Sequence, residues 1–209
     1  MQHTTARAWV RQPSGRHLDL VNPSPNDWED SDLAIGLSRT FRWGGHSIWP
    51  NPMSVAQHSL LVLELRRRAS ATPLDRIVAL RELLHDAEEG LLGFDPISPL
   101  KPVLNGPFTD LLDRLTHAVF SRYGIPWWTP DEKKKHKAVD QLAAASEAIH
   151  VAGWARSELQ EVLRITVEPL DEDPLVAIYG GTAWEPWPIN VAAERFQEAL
   201  KELSTRIQD

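Results

Sequence analysis

Four side chains in the sequence are of the kind that holds a divalent ion. They are His58 in VAQHSL, the adjacent His85 and Asp86 in LLHDAEE, and Asp140 in KAVDQLA. Two imidazoles and two carboxylates leave a six-coordinate ion two open positions for water and substrate. That donor set suits Mn, Fe, Co or Ni, admits Zn and is less suited to Mg. The chain has no cysteine, so disulfides, thiolate catalysis and Cys-based zinc or iron–sulfur sites are excluded. A single histidine in a helix is more often structural than a ligand, and a His-Asp pair alone is a two-letter coincidence. The surroundings add weight. Asp86 follows Leu83-Leu84-His85 and Asp140 precedes an alanine-rich stretch, and a carboxylate among apolar side chains is costly unless paired or metal-bound.

The bulk properties bound what these residues can belong to. The chain has 209 residues, 42% hydrophobic and 24% charged, which describes one ordinary domain over 1–209 able to bury its own core. No stretch approaches the roughly 18 apolar residues of a bilayer span, and MQHTTARAWVRQ lacks an export-signal pattern, so a cytoplasmic protein without membrane contact is expected. A net charge of −7, from 29 acids and 22 bases, argues against a protein that coats duplex nucleic acid. Most of the nine tryptophans are expected in the core or at an interface.

The elements that must position the four donors read as helices. Residues 1–28, rich in Pro and Gly, suggest an extended arm or small hairpin, with strand-like pieces at Arg7–Val10 and His17–Val21. A short helical run begins at Ser31 and ends before Gly44-Gly45. Ser54 with Gln57 three residues on marks a capping box for the helix carrying His58, whose basic end Arg66-Arg67-Arg68 reads as a solvated helix terminus. Thr72-Pro73 reads as the start of a helix running to Gly90 or Gly93, which places His85 and Asp86 inside it. A proline-rich loop, 94–107, precedes a helix from Phe108 to Tyr123. Thr129-Pro130-Asp131-Glu132 opens the helix bearing Asp140, whose lysine triplet 133–135 reads as a solvated face. Residues 165–189 fit no long helix, and Asn190 is expected to cap a last one, from Val191 to about Ile207. The sum is an all-α bundle of five to seven helices.

Taken together, GRHLDLVNPSP, LSRTFRWGGHS, MSVAQHSLLV, LLHDAEEGLLGFDPISPLK and AVDQLAAASEA resemble the HD-domain metal-dependent phosphohydrolases. The likeness is greatest to bacterial 5'-deoxynucleotidases, in family order and roughly family spacing over residues 15–150. The resemblance implies an ion held by His58, His85, Asp86 and Asp140. It further implies Glu89 as the group that holds or deprotonates the attacking water, and Asp95 as the acid for the leaving alkoxide or a group that positions the nucleophile. Arg42 resembles the family's phosphate-binding arginine, and Trp43 the bulky residue that disfavours a ribose 2'-hydroxyl, with a core tryptophan as its structural alternative. His46 and Lys101 are expected to add phosphate or base contacts. One departure is visible: the family's loop sets the acid directly after glycine, whereas here Phe94 stands between Gly93 and Asp95. The implied activity is hydrolysis of a phosphate ester of a (deoxy)nucleotide, at a mono- or a triphosphate. The partners implied are a small nucleotide and a second copy in a homodimer. Two other classes stay open: another HD enzyme (a cyclic-nucleotide or alarmone hydrolase, or a di-iron oxygenase drawing on the surplus His46, His117, His136 and His150) and a non-catalytic metal-containing nucleotide sensor.

Overall fold

In the computed structural model, residues 8–97 and 100–205 are described. The chain opens with a two-stranded antiparallel hairpin, β1 (Trp9–Arg11) and β2 (His17–Asp19), with Val10 opposite Leu18. Leu18 is fully buried. The turn is fastened to the first helix by Ser14, whose backbone N–H and hydroxyl both donate to the buried carboxylate of Asp32, at 2.8 and 2.5 Å.

The rest is helical: α1 (Asp30–Arg39), α2 (Val55–Arg68), α3 (Arg76–Leu83), α4 (Ala87–Leu92), α5 (Lys101–Leu104), α6 (Pro107–Tyr123), α7 (Pro130–His150), α8 (Arg156–Glu161), α9 (Val176–Tyr179) and α10 (Ile189–Ser204). Six of these, α1, α2, α3, α6, α7 and α10, have eight residues or more, so an all-α bundle with an N-terminal hairpin is what the chain forms. No helix among the described residues is long and apolar enough to cross a membrane.

Helix α2 is the axis of the fold, buried along almost its whole length and packed against α1, α3, α7 and α10. The hydroxyl of Ser54 caps it by accepting from Gln57 N–H at 3.2 Å. The side chain of Gln57 does not close the expected box. It accepts from Trp187 N–H at 2.8 Å and donates to the carbonyl of Glu185 at 3.2 Å, tying the irregular C-terminal segment to this helix. At Thr129 the box closes in both directions.

Several expectations need correction. The third helix starts at Arg76, because the carboxylate of Asp75 accepts from Ile77 N–H at 2.8 Å and so supplies a better cap than Thr72-Pro73. It ends at Leu83 instead of running on to the glycines. Arg66 is buried and pairs with Glu82 at 3.3 Å, so only Arg67 and Arg68 form a solvated helix end. Of the nine tryptophans only Trp28 and Trp184 are in the buried core. The final helix begins at Ile189 with no side-chain cap, Asn190 lying inside it. It ends at Ser204, and Ile207 lies outside the described residues, as does Arg7 of the hairpin. Helix α8 was not foreseen.

One close approach sets how α4 meets the bundle. A Cβ on Gly36 of α1 would lie 2.3 Å from the carbonyl oxygen of Gly90 in α4, and a Cβ on Gly90 would lie 2.6 Å from Cγ of Leu37. Two facing glycines therefore let the helix bearing Glu89 dock at backbone distance. Gly36→Ala forces the two helices apart and should destabilise the protein by about 2 kcal/mol or more. Thermal denaturation would read this as a Tm lower by about 4–8 °C. An unchanged Tm would mean that the two helices can separate at no cost.

Candidate metal centre

The sequence places His85 and Asp86 within a run of buried residues, Leu80, Leu83, Leu84, Ala87 and Leu91, that keeps helical spacing throughout. The chain nevertheless breaks there. Leu84 (φ −105°, ψ 15°) and Asp86 (φ −114°, ψ 23°) leave the helical basin for the sparsely populated bridge region, so that His85 and Asp86 sit at the junction of α3 and α4 and not inside a helix. On a regular helix their side chains would diverge by about 100°. At the junction, His85 Nε2 and Asp86 Oδ2 come within 3.1 Å.

The other two donors arrive from α2 and α7. His58 Nε2 lies 3.2 Å from His85 Nε2, 3.6 Å from Asp86 Oδ2 and 3.6 Å from Asp140 Oδ1. One donor atom from each of His58, His85 and Asp86 falls within 4.8 Å of the others. Metal–nitrogen distances of about 2.0–2.1 Å put neighbouring ligands of one ion about 3 Å apart, which is the spacing seen here.

The hydrogen bonds behind the two imidazoles decide what their facing atoms are. His85 Nδ1 donates to the carbonyl of Glu82 at 2.8 Å. His58 Nδ1 lies 2.5 Å from Oε1 of Glu147, which is fully buried. Burial works to raise the pKa of Glu147, but the charges of His58 and Arg42 and the hydrogen bonds from His58 and Trp43 outweigh it and hold the group below its ordinary value. Glu147 is thus an acceptor and His58 Nδ1 a donor. The two Nε2 atoms then face one another at 3.2 Å, an arrangement relieved by a proton on one of them or by a cation between them. The donor set therefore fits a divalent transition metal.

A second ring of side chains surrounds these atoms. Oε2 of Glu147 accepts from Trp43 Nε1 at 3.1 Å and from Arg42 Nε at 3.3 Å. Arg42 Nη1 donates to Asp95 at 3.3 Å, so Asp95, which follows Phe94, reaches the site. Gly93 (φ 74°) ends α4 in the left-handed conformation, and the N–H groups of Gly93 and Phe94 both donate to the carbonyl of Glu89. Glu89 is fully buried; Lys101 Nζ donates to its Oε1 at 3.2 Å, and its Oε2 has no partner among the described residues. Burial, then the charges of Asp86 and Asp95, push the Glu89 carboxyl well above the ordinary range, while Lys101 opposes them. Trp43 lies in a 3₁₀ turn, Arg42–Gly45, is half-buried and has φ 57°, so it is not a core tryptophan.

Of the ten residues singled out from sequence, nine join this network. His46 does not: it is exposed, closes the 3₁₀ turn through its backbone N–H to Trp43, and makes no side-chain hydrogen bond among the described residues. Of the other surplus histidines, His117 stacks on Trp127, and His150 stacks on Trp184 with its Nε2 against the carbonyl of Leu170. Only His136 comes near, its ring 4.7 Å from that of His85 and its Nδ1 bonded to Glu82 at 2.8 Å. Glu147 was missed in the sequence. The signal for it was its spacing of seven from Asp140, two turns along one face of α7.

No protein-family model matches the chain. An uncharacterized protein of Rhodobacter capsulatus is 43% identical over 157 residues, which cover 75% of this chain and 79% of that protein. The chain belongs to that protein's family. The uncharacterized protein YfdR of Escherichia coli is 26% identical over 140 residues, covering 67% of this chain and 70% of YfdR. Neither name assigns an activity.

The site predicts how ion binding responds to pH. Burial lowers the pKa of His85, but the adjacent Asp86 and then Asp140 outweigh it and push the imidazole up to about 9. A protonated Nε2 has no lone pair to give, so proton and cation compete below that pH. The apparent affinity for Mn²⁺ should therefore rise by about tenfold or more per pH unit between pH 6 and 8, with protons released on binding. Titration calorimetry in buffers of different ionisation enthalpy measures both, and a pH-independent affinity would remove His85 from the ligand set.

Proposed function

We propose that the protein is a metal-dependent phosphohydrolase of the HD-domain type acting on (deoxy)nucleotides. The observation that carries this reading is the convergence of His58, His85 and Asp86, with Asp140 3.6 Å from His58, beside the cationic Arg42 and Lys101. A divalent ion of the Mn, Co, Fe, Ni or Zn type, when bound by the four donors, supplies Lewis acidity toward water and the phosphoryl oxygens.

The chain's own residues do the remainder. Arg42 spends Nε on Glu147 and Nη1 on Asp95, while Nη2 has no partner among the described residues and can take a phosphoryl oxygen. Lys101, with 44% of its side chain exposed, offers a second cation at the opening. As phosphorus gains a bond to the water oxygen and loses its bond to the ester oxygen, the two cations offset charge on the equatorial oxygens. Glu89, free at Oε2, holds the attacking water and in its ionised form takes its proton, and the 5'-oxygen departs protonated by way of Asp95. Trp43, pinned by Glu147, would flank the sugar. A monophosphate gives nucleoside and phosphate; attack at the α-phosphorus of a triphosphate gives nucleoside and triphosphate.

The test is phosphate and triphosphate release across ribo- and deoxyribonucleoside mono-, di- and triphosphates with Mn²⁺ or Co²⁺, with metal analysis on the same sample. Turnover that requires the ion and prefers deoxy substrates is expected. Stoichiometric metal with no release from any of them would favour a non-catalytic sensor. Asp140→Ala should lose the ion and turnover together while keeping its fold; retained metal and activity would take Asp140 out of the site. In Trp43→Ala the preference for deoxy over ribo substrates should narrow, and an unchanged ratio would assign the ring a purely structural part.

A further inference from the structure

Glu147 is the one carboxylate of the network that faces both of its halves. Its Oε1 is taken by the Nδ1 of His58, a candidate ligand, at 2.5 Å. Its Oε2 is taken by Trp43 Nε1 at 3.1 Å and Arg42 Nε at 3.3 Å, the two side chains assigned to sugar and phosphate. The residue is fully buried on α7, with both carboxylate oxygens already taken. The turn that it grips is not self-supporting: Trp43 holds φ 57°, ψ 28° and Gly44 holds φ 63°, ψ 22°, a conformation that costs a bulky L residue of order 1 kcal/mol and persists only where neighbours fix it.

We infer that Glu147 is a positioning residue that couples ion binding to substrate selection, one oxygen fixing the tautomer of His58 and the other holding the Arg42–Trp43 turn in its left-handed form. Both sides present only N–H donors, so both need a carboxylate. Glutamine, of the same shape, has one carbonyl oxygen and one amide NH₂, and can satisfy only one side. With NH₂ toward His58, the imidazole must present Nδ1 as acceptor and carry its proton on Nε2, which ends ligation. With NH₂ toward the turn, three donors confront one another and the turn is released. By linkage, whatever perturbs the turn also perturbs the ion.

Such a tether presupposes that the four donors hold an ion, as proposed above, and the experiment separates the two. Mn²⁺ affinity is measured by titration for the full chain and for Glu147→Gln, Trp43→Phe and the double variant, with a thermal melt of each. Trp43→Phe keeps an aromatic ring at the turn and removes the indole N–H. If the wild-type chain takes no Mn²⁺, the metal reading fails and the tether with it. If the wild type binds, Glu147→Gln should weaken affinity by about 10–100-fold, the scale for partners that orient metal ligands. Trp43→Phe, which touches no ligand, should weaken it severalfold, and the double variant should be no weaker than Glu147→Gln alone. Wild-type affinity in Trp43→Phe, or strictly additive losses in the cycle, would overturn the coupling while leaving the metal centre standing. Should Glu147→Gln melt before it can be titrated, Trp43→Phe alone decides, since unchanged affinity there excludes the tether.

Discussion

Everything at the centre of this fold answers to two imidazole Nε2 atoms held 3.2 Å apart with their Nδ1 protons already committed. Two lone pairs at that distance repel in a site with little water to screen them unless a proton or a cation stands between them, so the surrounding structure must hold them in place. It does so with a backbone carbonyl behind His85 and a buried carboxylate behind His58. Around them the protein concentrates carboxylates that it then balances with Arg42 and Lys101, keeping buried charge paired. The helices serve this arrangement. α2 brings one imidazole through the middle of the core, α7 brings Asp140 and Glu147 on one face, and the junction of α3 and α4 delivers two donors in succession.

The sequence was informative where chemistry and local rules coincide. His58, His85, Asp86 and Asp140 were legible because polar side chains set in apolar runs demand an explanation, and the helices around them were legible from caps and spacing. The all-α bundle and the hairpin followed from the same signals. What escaped was whatever tertiary contacts decide. The break at Leu84 and Asp86 leaves no mark, since Leu80, Leu83, Leu84, Ala87 and Leu91 keep helical periodicity across it. Glu147 reads as an ordinary helical glutamate until α2 supplies the imidazole that faces it. His46 followed Gly-Gly in a suggestive motif, but the 3₁₀ turn leaves it exposed. The tryptophans were over-assigned to the core because indole N–H groups seek partners. Trp43 and Trp49 find theirs at half-buried positions, in Glu147 and in the carbonyl of His150.

The segment after α4 shows how a helix end can deliver a charged group. The carbonyl of Glu89 receives the N–H groups of Gly93 and Phe94 in succession, and Asp95 arrives buried against Arg42. The side chain of Phe94 is left partly in solvent against Phe108. The turn at the helix end thus sends the apolar ring outward and the carboxylate inward.

The left-handed backbone at Trp43 carries a consequence for how the chain can vary. Few side chains tolerate that conformation, and the indole earns its place there only through its bond to Glu147. A descendant sequence that loses the ring gains nothing from putting another bulky residue at this position, and glycine becomes the natural occupant. Variation at this corner should therefore proceed by wholesale exchange of the turn, not by a graded series of smaller side chains.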